Sequence, residues 1–166
     1  MPPGEPPDHA LGRSRGGFST KIHLLTDGTG LPLHAAVSAG QAHESKYVEP
    51  VLDRVRIRRC RPGRPRRRPG RLAGDKGYSY PRVRAALRRR HIGAVIAERE
   101  DQPHVRRGRF DRRRYRQRHV IECTVGHLKE FRRIAQRADK LAVSYRAWAV
   151  LGMIRLILRR HLSDEA

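Results

Sequence analysis

Acidic residues are scarce in this chain: 16 Asp and Glu stand against 38 Lys and Arg, leaving a formal charge of +22. Such a field repels itself in the compact state and draws polyanions from a distance. That argues against a free monomer serving a small neutral substrate and makes nucleic acid the first partner to consider. Lysine is rare as well, 5 residues against 33 arginines. A coding bias toward arginine accounts for that ratio but not for the missing acids. Cysteine is nearly absent; Cys60 and Cys123 stand far apart without a partner motif, which excludes a disulfide scaffold and a four-cysteine zinc site. The longest apolar run, residues 147–158, is broken by Arg155 and falls short of the ~20 residues a membrane span needs. The proline-rich start has neither the basic residues nor the apolar stretch of a secretory signal. These absences predict a cytoplasmic chain with no membrane partner.

What remains is 166 residues, the size of one ordinary domain with a core of its own. Residues 1–17, with four prolines and four glycines, read as a flexible N-terminal arm. Two β-like runs, residues 19–26 and 31–38, flank Asp27-Gly28-Thr29-Gly30 and predict a hairpin. Residues 43–55 carry helical spacing interrupted by Pro50. Residues 54–71 hold ten arginines and three prolines and cannot pack a core, so they read as a solvated loop. Residues 71–75 read as a short strand ending on Asp75. Ser79 then caps a helix to about residue 91 with Pro81 in its first turn. A buried strand over residues 92–97, a polar loop over 98–111, one long helix over 112–135 and a last apolar helix over 144–160 complete the order ββαβαβαα. This is an α/β chain with a mixed sheet, and residues 163–166 form a tail.

At ~100° per residue, a continuous 112–135 helix places Tyr115, Arg118, Glu122 and Lys129 on one arc about 60° wide. Val120, Ile121, Val125, Leu128, Phe131 and Ile134 take the opposite side. Alone, this describes a surface helix whose Arg118 and Glu122 form an i,i+4 ion pair. Asp75 sharpens the reading, because an acid at the carboxyl end of a strand lies where open α/β sheets place ligands. Asp75 from a strand end and Glu122 from a packed helix could jointly hold a hard cation such as Mg²⁺ and polarise phosphodiester oxygens. His23, His34 and His43 have no zinc spacing and read as scattered polar residues, and Cys123 reads as a helix packing residue. Whether the 54–71 loop contacts phosphates or is only solvated stays open.

The spacing Tyr115-x2-Arg118-x3-Glu122-x6-Lys129 resembles the Y-R-E-K signature of bacterial insertion-sequence transposases of the insertion-sequence-five type. Supporting stretches are the glycine-arginine-rich residues 12–17 leading into 19–23, Gly40-Gln41-Ala42-His43-Glu44-Ser45, and Gly74-Asp75-Lys76-Gly77-Tyr78. The resemblance implies an RNase H-like mixed sheet flanked by helices over residues 18–162. It also implies an Asp-Asp-Glu site in which Asp75 is the second Asp and Glu122 the Glu. Both would bind Mg²⁺ or Mn²⁺, with Tyr115, Arg118 and Lys129 on the DNA. The implied activity is metal-dependent cleavage at element ends followed by 3′-hydroxyl attack on target DNA, with double-stranded DNA as partner and a homo-oligomer as the active, nucleoid-associated complex. The family's first Asp lies on a strand before the hairpin, and neither Asp8 in the arm nor Asp27 in the turn replaces it. The chain therefore reads as a C-terminal portion lacking the first strand, to be completed by an upstream-frame polypeptide. A second reading is a non-catalytic, basic DNA-binding remnant that occupies element ends or modulates a full-length transposase.

Overall fold

The computed structural model describes residues 9–14, 16–100 and 110–163. The chain divides into two compact units, one built from residues up to Ala42 together with Ile121 onward, the other from His43–Val120.

In the first unit, β1 (Gly12–Ser14), β2 (Gly17–Thr26) and β3 (Pro32–Ala39) form an antiparallel sheet in that order. The β2–β3 turn is organised by Asp27. Its Oδ1 accepts from the Thr29 N–H at 2.8 Å, the Thr29 hydroxyl at 2.7 Å and the Leu31 N–H at 2.9 Å. Gly30 takes the positive φ of 90° that this turn requires. Burial pushes the Asp27 pKa up, but these bonds and the charge of Arg160 outweigh it and hold the carboxyl below its ordinary value. Pairing Ile22↔Val37 and Leu24↔Ala35 puts Ile22, Leu24 and Ala35 on the core face. Against them pack Leu128 of α4 (His119–Lys129), Phe131, Ile134 of α5 (Arg132–Ala135), and Met153 and Leu156 of α6 (Ala142–Ser163). Gly152 lets α6 come close, since a Cβ there would lie 2.8 Å from Ile134 and 3.0 Å from Leu128. The Arg137 guanidinium donates to the carbonyls of His9, Ala10, Asp139 and Lys140 and to the Thr20 hydroxyl, tying three chain segments together.

The second unit opens with a 3-10 turn, Glu44–Lys46, and α1 (Val48–Arg54). After the arginine-rich segment come β4 (Arg71–Gly74), a 3-10 turn at Lys76–Tyr78, α2 (Pro81–Arg89), β5 (Gly93–Ile96) and α3 (Arg112–Arg116). β4 and β5 pair in parallel, Arg71↔Gly93 to Gly74↔Ile96, with α2 as the crossover. Val83, Ala86 and Leu87 recur at helical spacing and bury one face of α2. Arg84 is buried beside them, donating to the Ile96 carbonyl at 2.9 Å and to Ser79 Oγ at 3.1 Å. Past the helix end, Arg90 grips the Asp53 carboxylate and lies 3.3 Å from Glu49, which draws the Asp53 carboxyl below its usual range.

Several sequence expectations are corrected. Gly12–Ser14, read as part of a flexible arm, form a strand, because Gly12↔Ser19 pairing needs no apolar side chain; residues 1–8 lie outside the described ones. Among the described residues the strands form two sheets, one antiparallel and one parallel, rather than one mixed sheet. The helix over 112–135 is three helices. Bonds of the i→i+3 kind at Arg118 and Val120 tighten the chain after α3, and Phe131 turns extended (φ −82°, ψ 112°) between α4 and α5. The ring of Phe131 gains the core, a packing preference that overrides helical periodicity. The α2 cap is Tyr80 rather than Ser79, which is buried under Arg84, and α6 begins at Ala142, two residues before Ser144. The expected polar loop over 98–111 falls largely on residues 101–109, outside the described ones. Among the described residues, no helix is long and apolar enough to cross a membrane.

Candidate active site

Asp75 follows β4 directly, at the carboxyl end of the parallel pair. Its backbone is extended and its side chain caps the next turn, accepting from the Lys76 N–H at 2.7 Å. The carboxylate stays 60% exposed, so capping fixes it without hiding it. Arg118 reaches this acid from the turn after α3, with Nη1 4.0 Å from Asp75 Oδ1. The guanidinium of Arg118 lies over the Tyr115 ring, 5.4 Å from its centroid, and the Phe110 ring packs against Tyr115 with centroids 5.1 Å apart. Asp111 caps α3 through the Arg114 N–H at 2.9 Å, which aims this segment. Three of the five expected residues, Asp75, Tyr115 and Arg118, therefore belong to the second unit, where Arg118 touches both the others.

The same corner holds a second acid. Glu44 Oε2 lies 2.9 Å from where a Cβ on residue 77 would sit, so only glycine fits there without displacing it. Tyr78, half-buried, has its phenol pushed up to about 12, first by burial and then by the charges of Glu44 and Asp75. It remains a neutral hydroxyl at any physiological pH.

Glu122 and Lys129 belong to the first unit, both exposed on α4. They are seven positions apart, which brings them to one face about 10 Å apart along the axis. The single continuous helix from which the four-residue arc was expected is interrupted by the turn at 117–118, so Tyr115 and Arg118 do not lie on α4.

Among the described residues no group of three His, Cys, Asp or Glu is arranged to hold a metal. Asp75 and Glu122 each offer carboxylate oxygens, the donor type a hard divalent cation takes, and each is exposed. His23 is buried and bonded to Ser38 Oγ at 2.8 Å, and His43 caps the first 3-10 turn; both do structural work. Cys123 is exposed rather than packed, and both cysteines are free.

Comparison with known proteins gives the family. A model described as "Transposase DDE domain" matches residues 3–157. The chain belongs to this transposase DDE family. A Burkholderia cepacia protein described as "Putative transposase for insertion sequence element IS402" is 33% identical over 133 residues, 80% of this chain and 60% of that protein. A Brucella ovis protein described as "Putative transposase for insertion sequence element IS6501" is 25% identical over 142 residues, 86% of this chain and all of that protein. The chain thus spans about 60% of the length of the Burkholderia relative. No solved structure matches it. The expected insertion-sequence transposase family is borne out, and the α/β class with it. Sequence reading of this DDE-family chain overlooked one feature of the second unit. His43, Tyr80 and Arg99 form a bonded set whose members lie 37 and 19 residues apart, without local periodicity to mark it.

Proposed function

We propose that this chain carries part of the catalytic centre of a DNA transposase that cleaves the ends of a bacterial insertion sequence and joins them to target DNA. The observation that carries this reading is Asp75, exposed at the end of β4 and approached by Arg118 of the family signature. Asp75 and Glu122 serve as oxygen ligands for Mg²⁺ or Mn²⁺, with RNase H-like strand order as the scaffold. Bound there, the cation supplies charge to the scissile phosphate and lowers the pKa of the attacking water or 3′-hydroxyl. Tyr115, Arg118 and Lys129 hold the DNA backbone, and the ring of Tyr115 presets the guanidinium plane for two-pronged contact with phosphate. The working complex is a homo-oligomer on double-stranded DNA at the nucleoid.

Two carboxylates match the family pattern and the third has none in this sequence. Asp27 does not substitute, since one of its oxygens is taken by three bonds of its own turn. Hard cations keep their water shells unless enough negative ligands replace them. On this reading the 166-residue chain binds DNA but neither cleaves nor joins it, and acts alone as a basic remnant that occupies element ends. Fusing or adding a segment with the missing strand and its Asp restores both steps. The test is strand cleavage and transfer on a terminal-repeat duplex with Mg²⁺ or Mn²⁺. Activity in the fused protein that Glu122→Gln or Asp75→Asn abolishes supports the reading. A fused protein that is inactive, or one untouched by either substitution, overturns it.

A further inference from the structure

The hydroxyl of Tyr80 carries an unusual hydrogen-bond load. His43 Nδ1 accepts from the Ser45 N–H at 3.3 Å and faces Ser45 Oγ at 2.9 Å. A nitrogen that accepts a backbone N–H bears no proton, so the ring hydrogen of His43 sits on Nε2. Nε2 lies 2.8 Å from the Tyr80 oxygen and must be the donor there. Arg99 Nη1 donates to the same oxygen at 2.9 Å. A phenol offers two acceptor positions and one hydrogen. With an imidazole N–H and a guanidinium filling both acceptor positions, the hydroxyl hydrogen is left to donate, and among the described residues no protein acceptor takes it. The ring is fixed as well, edge-on to His43 at 85° with centroids 4.5 Å apart and under Arg99 at 5.7 Å.

Arg99 also lines a cavity of about 400 Å³ with Lys76, Gly77 and Glu100. Lys76 and Glu100 are 3.9 Å apart and at least half exposed, a pairing weak enough for an incoming anion to displace. Two cations and a preset O–H donor then stand next to the turn that Asp75 caps.

We infer that Arg99, Lys76 and the Tyr80 hydroxyl form a subsite for a non-bridging phosphodiester oxygen of bound DNA, with His43 as the positioning residue that turns the Tyr80 hydrogen outward. The assignment rests on the transposase reading for its ligand. A 20-base-pair duplex titrated by fluorescence anisotropy over a range of salt tests it. Tyr80→Phe keeps the ring and removes only the hydroxyl, so affinity falls about 3- to 10-fold while the salt slope stays unchanged. Arg99→Gln weakens binding and lowers the slope by about 0.9, as loss of one phosphate contact requires. The two signatures differ, and a merely structural role for Tyr80 moves the unfolding midpoint without producing them as a pair. Failure of the wild-type chain to bind the duplex overturns the DNA reading itself. Binding by the wild type that both variants match in affinity and slope overturns the subsite alone.

Discussion

The arginine-rich segment offers the sharpest test of how the charge of this chain is used. Ile57 and Arg66 bond each other's backbone in both directions, at 2.9 and 2.8 Å, so residues 58–65 form a loop pinned at its base. Arg58, Arg59, Arg61 and Arg64 sit on that loop, all exposed. Replacing the four with Gln takes the formal charge from +22 to about +18. If each contacts a phosphate, each contributes about 0.9 to the slope of log affinity against log salt. Four contacts make about 3.6, and at 0.15 M salt each is worth about a 5-fold change in affinity, so together about 10³-fold. The effect falls equally on terminal-repeat and random duplexes, because phosphate contacts carry no sequence information. The pinned base and the buried residues of the unit are untouched, so the unfolding temperature shifts by no more than about 2 °C. Anisotropy titrations from 0.05 to about 0.4 M salt measure the slope. An unchanged slope with unchanged affinity refutes the reasoning and makes the loop a solvated insertion with no part in binding.

Removing the Asp27 carboxylate by Asp27→Ala strips three bonds from the β2–β3 turn and lowers the unfolding temperature at pH 7 by about 3–5 °C. Because the folded carboxyl titrates below its ordinary 3.8, its stabilisation is fully present above that pH and is lost as pH falls through the depressed value. Wild type and variant should therefore converge in thermal melts as pH falls through that depressed value, and a constant gap across pH would contradict the assignment. Gly40→Ala puts a Cβ 2.9 Å from the Ser19 carbonyl and 3.0 Å from that of Gly12, both backbone atoms that cannot swing aside. Urea unfolding should show a loss of about 1–3 kcal/mol, and an unchanged midpoint would mean the sheet edge yields freely.

Where local chemistry decides structure, the sequence was readable. The hairpin follows from Asp27-Gly28-Thr29-Gly30, because one carboxylate and one positive-φ glycine specify the turn. The β4–α2–β5 unit follows from a short apolar run, Pro81 at the first helical turn and a second apolar run. Where packing decides, periodicity misled. Val120, Ile121, Val125, Leu128, Phe131 and Ile134 keep an unbroken helical rhythm, yet the chain turns between α4 and α5, where Phe131 and Ile134 join the core. The wheel that grouped four site residues inherited that error, and α4 keeps only Glu122 and Lys129 of them. Asp75 was legible from its place at a strand end. Its meeting with Arg118, 43 residues along, depends on how the second unit closes, and nothing local encodes that.

The first unit is assembled from the two ends of the sequence, and this has a consequence for synthesis on the ribosome. The β2–β3 hairpin is complete at Ala39, but α6, which covers its apolar face, starts only at Ala142. At bacterial rates of about 5–20 residues per second, Ile22, Leu24 and Ala35 wait roughly 5–20 s for their cover. The second unit, continuous over residues 43–120, has its described strands and helices synthesised before α6 begins. Vectorial synthesis therefore favours an order in which the inserted unit matures while the hairpin is still half naked. A ribosome stalled while α6 is being made would hold a nascent chain with a finished middle and a sticky beginning, the form most exposed to chaperones and proteases.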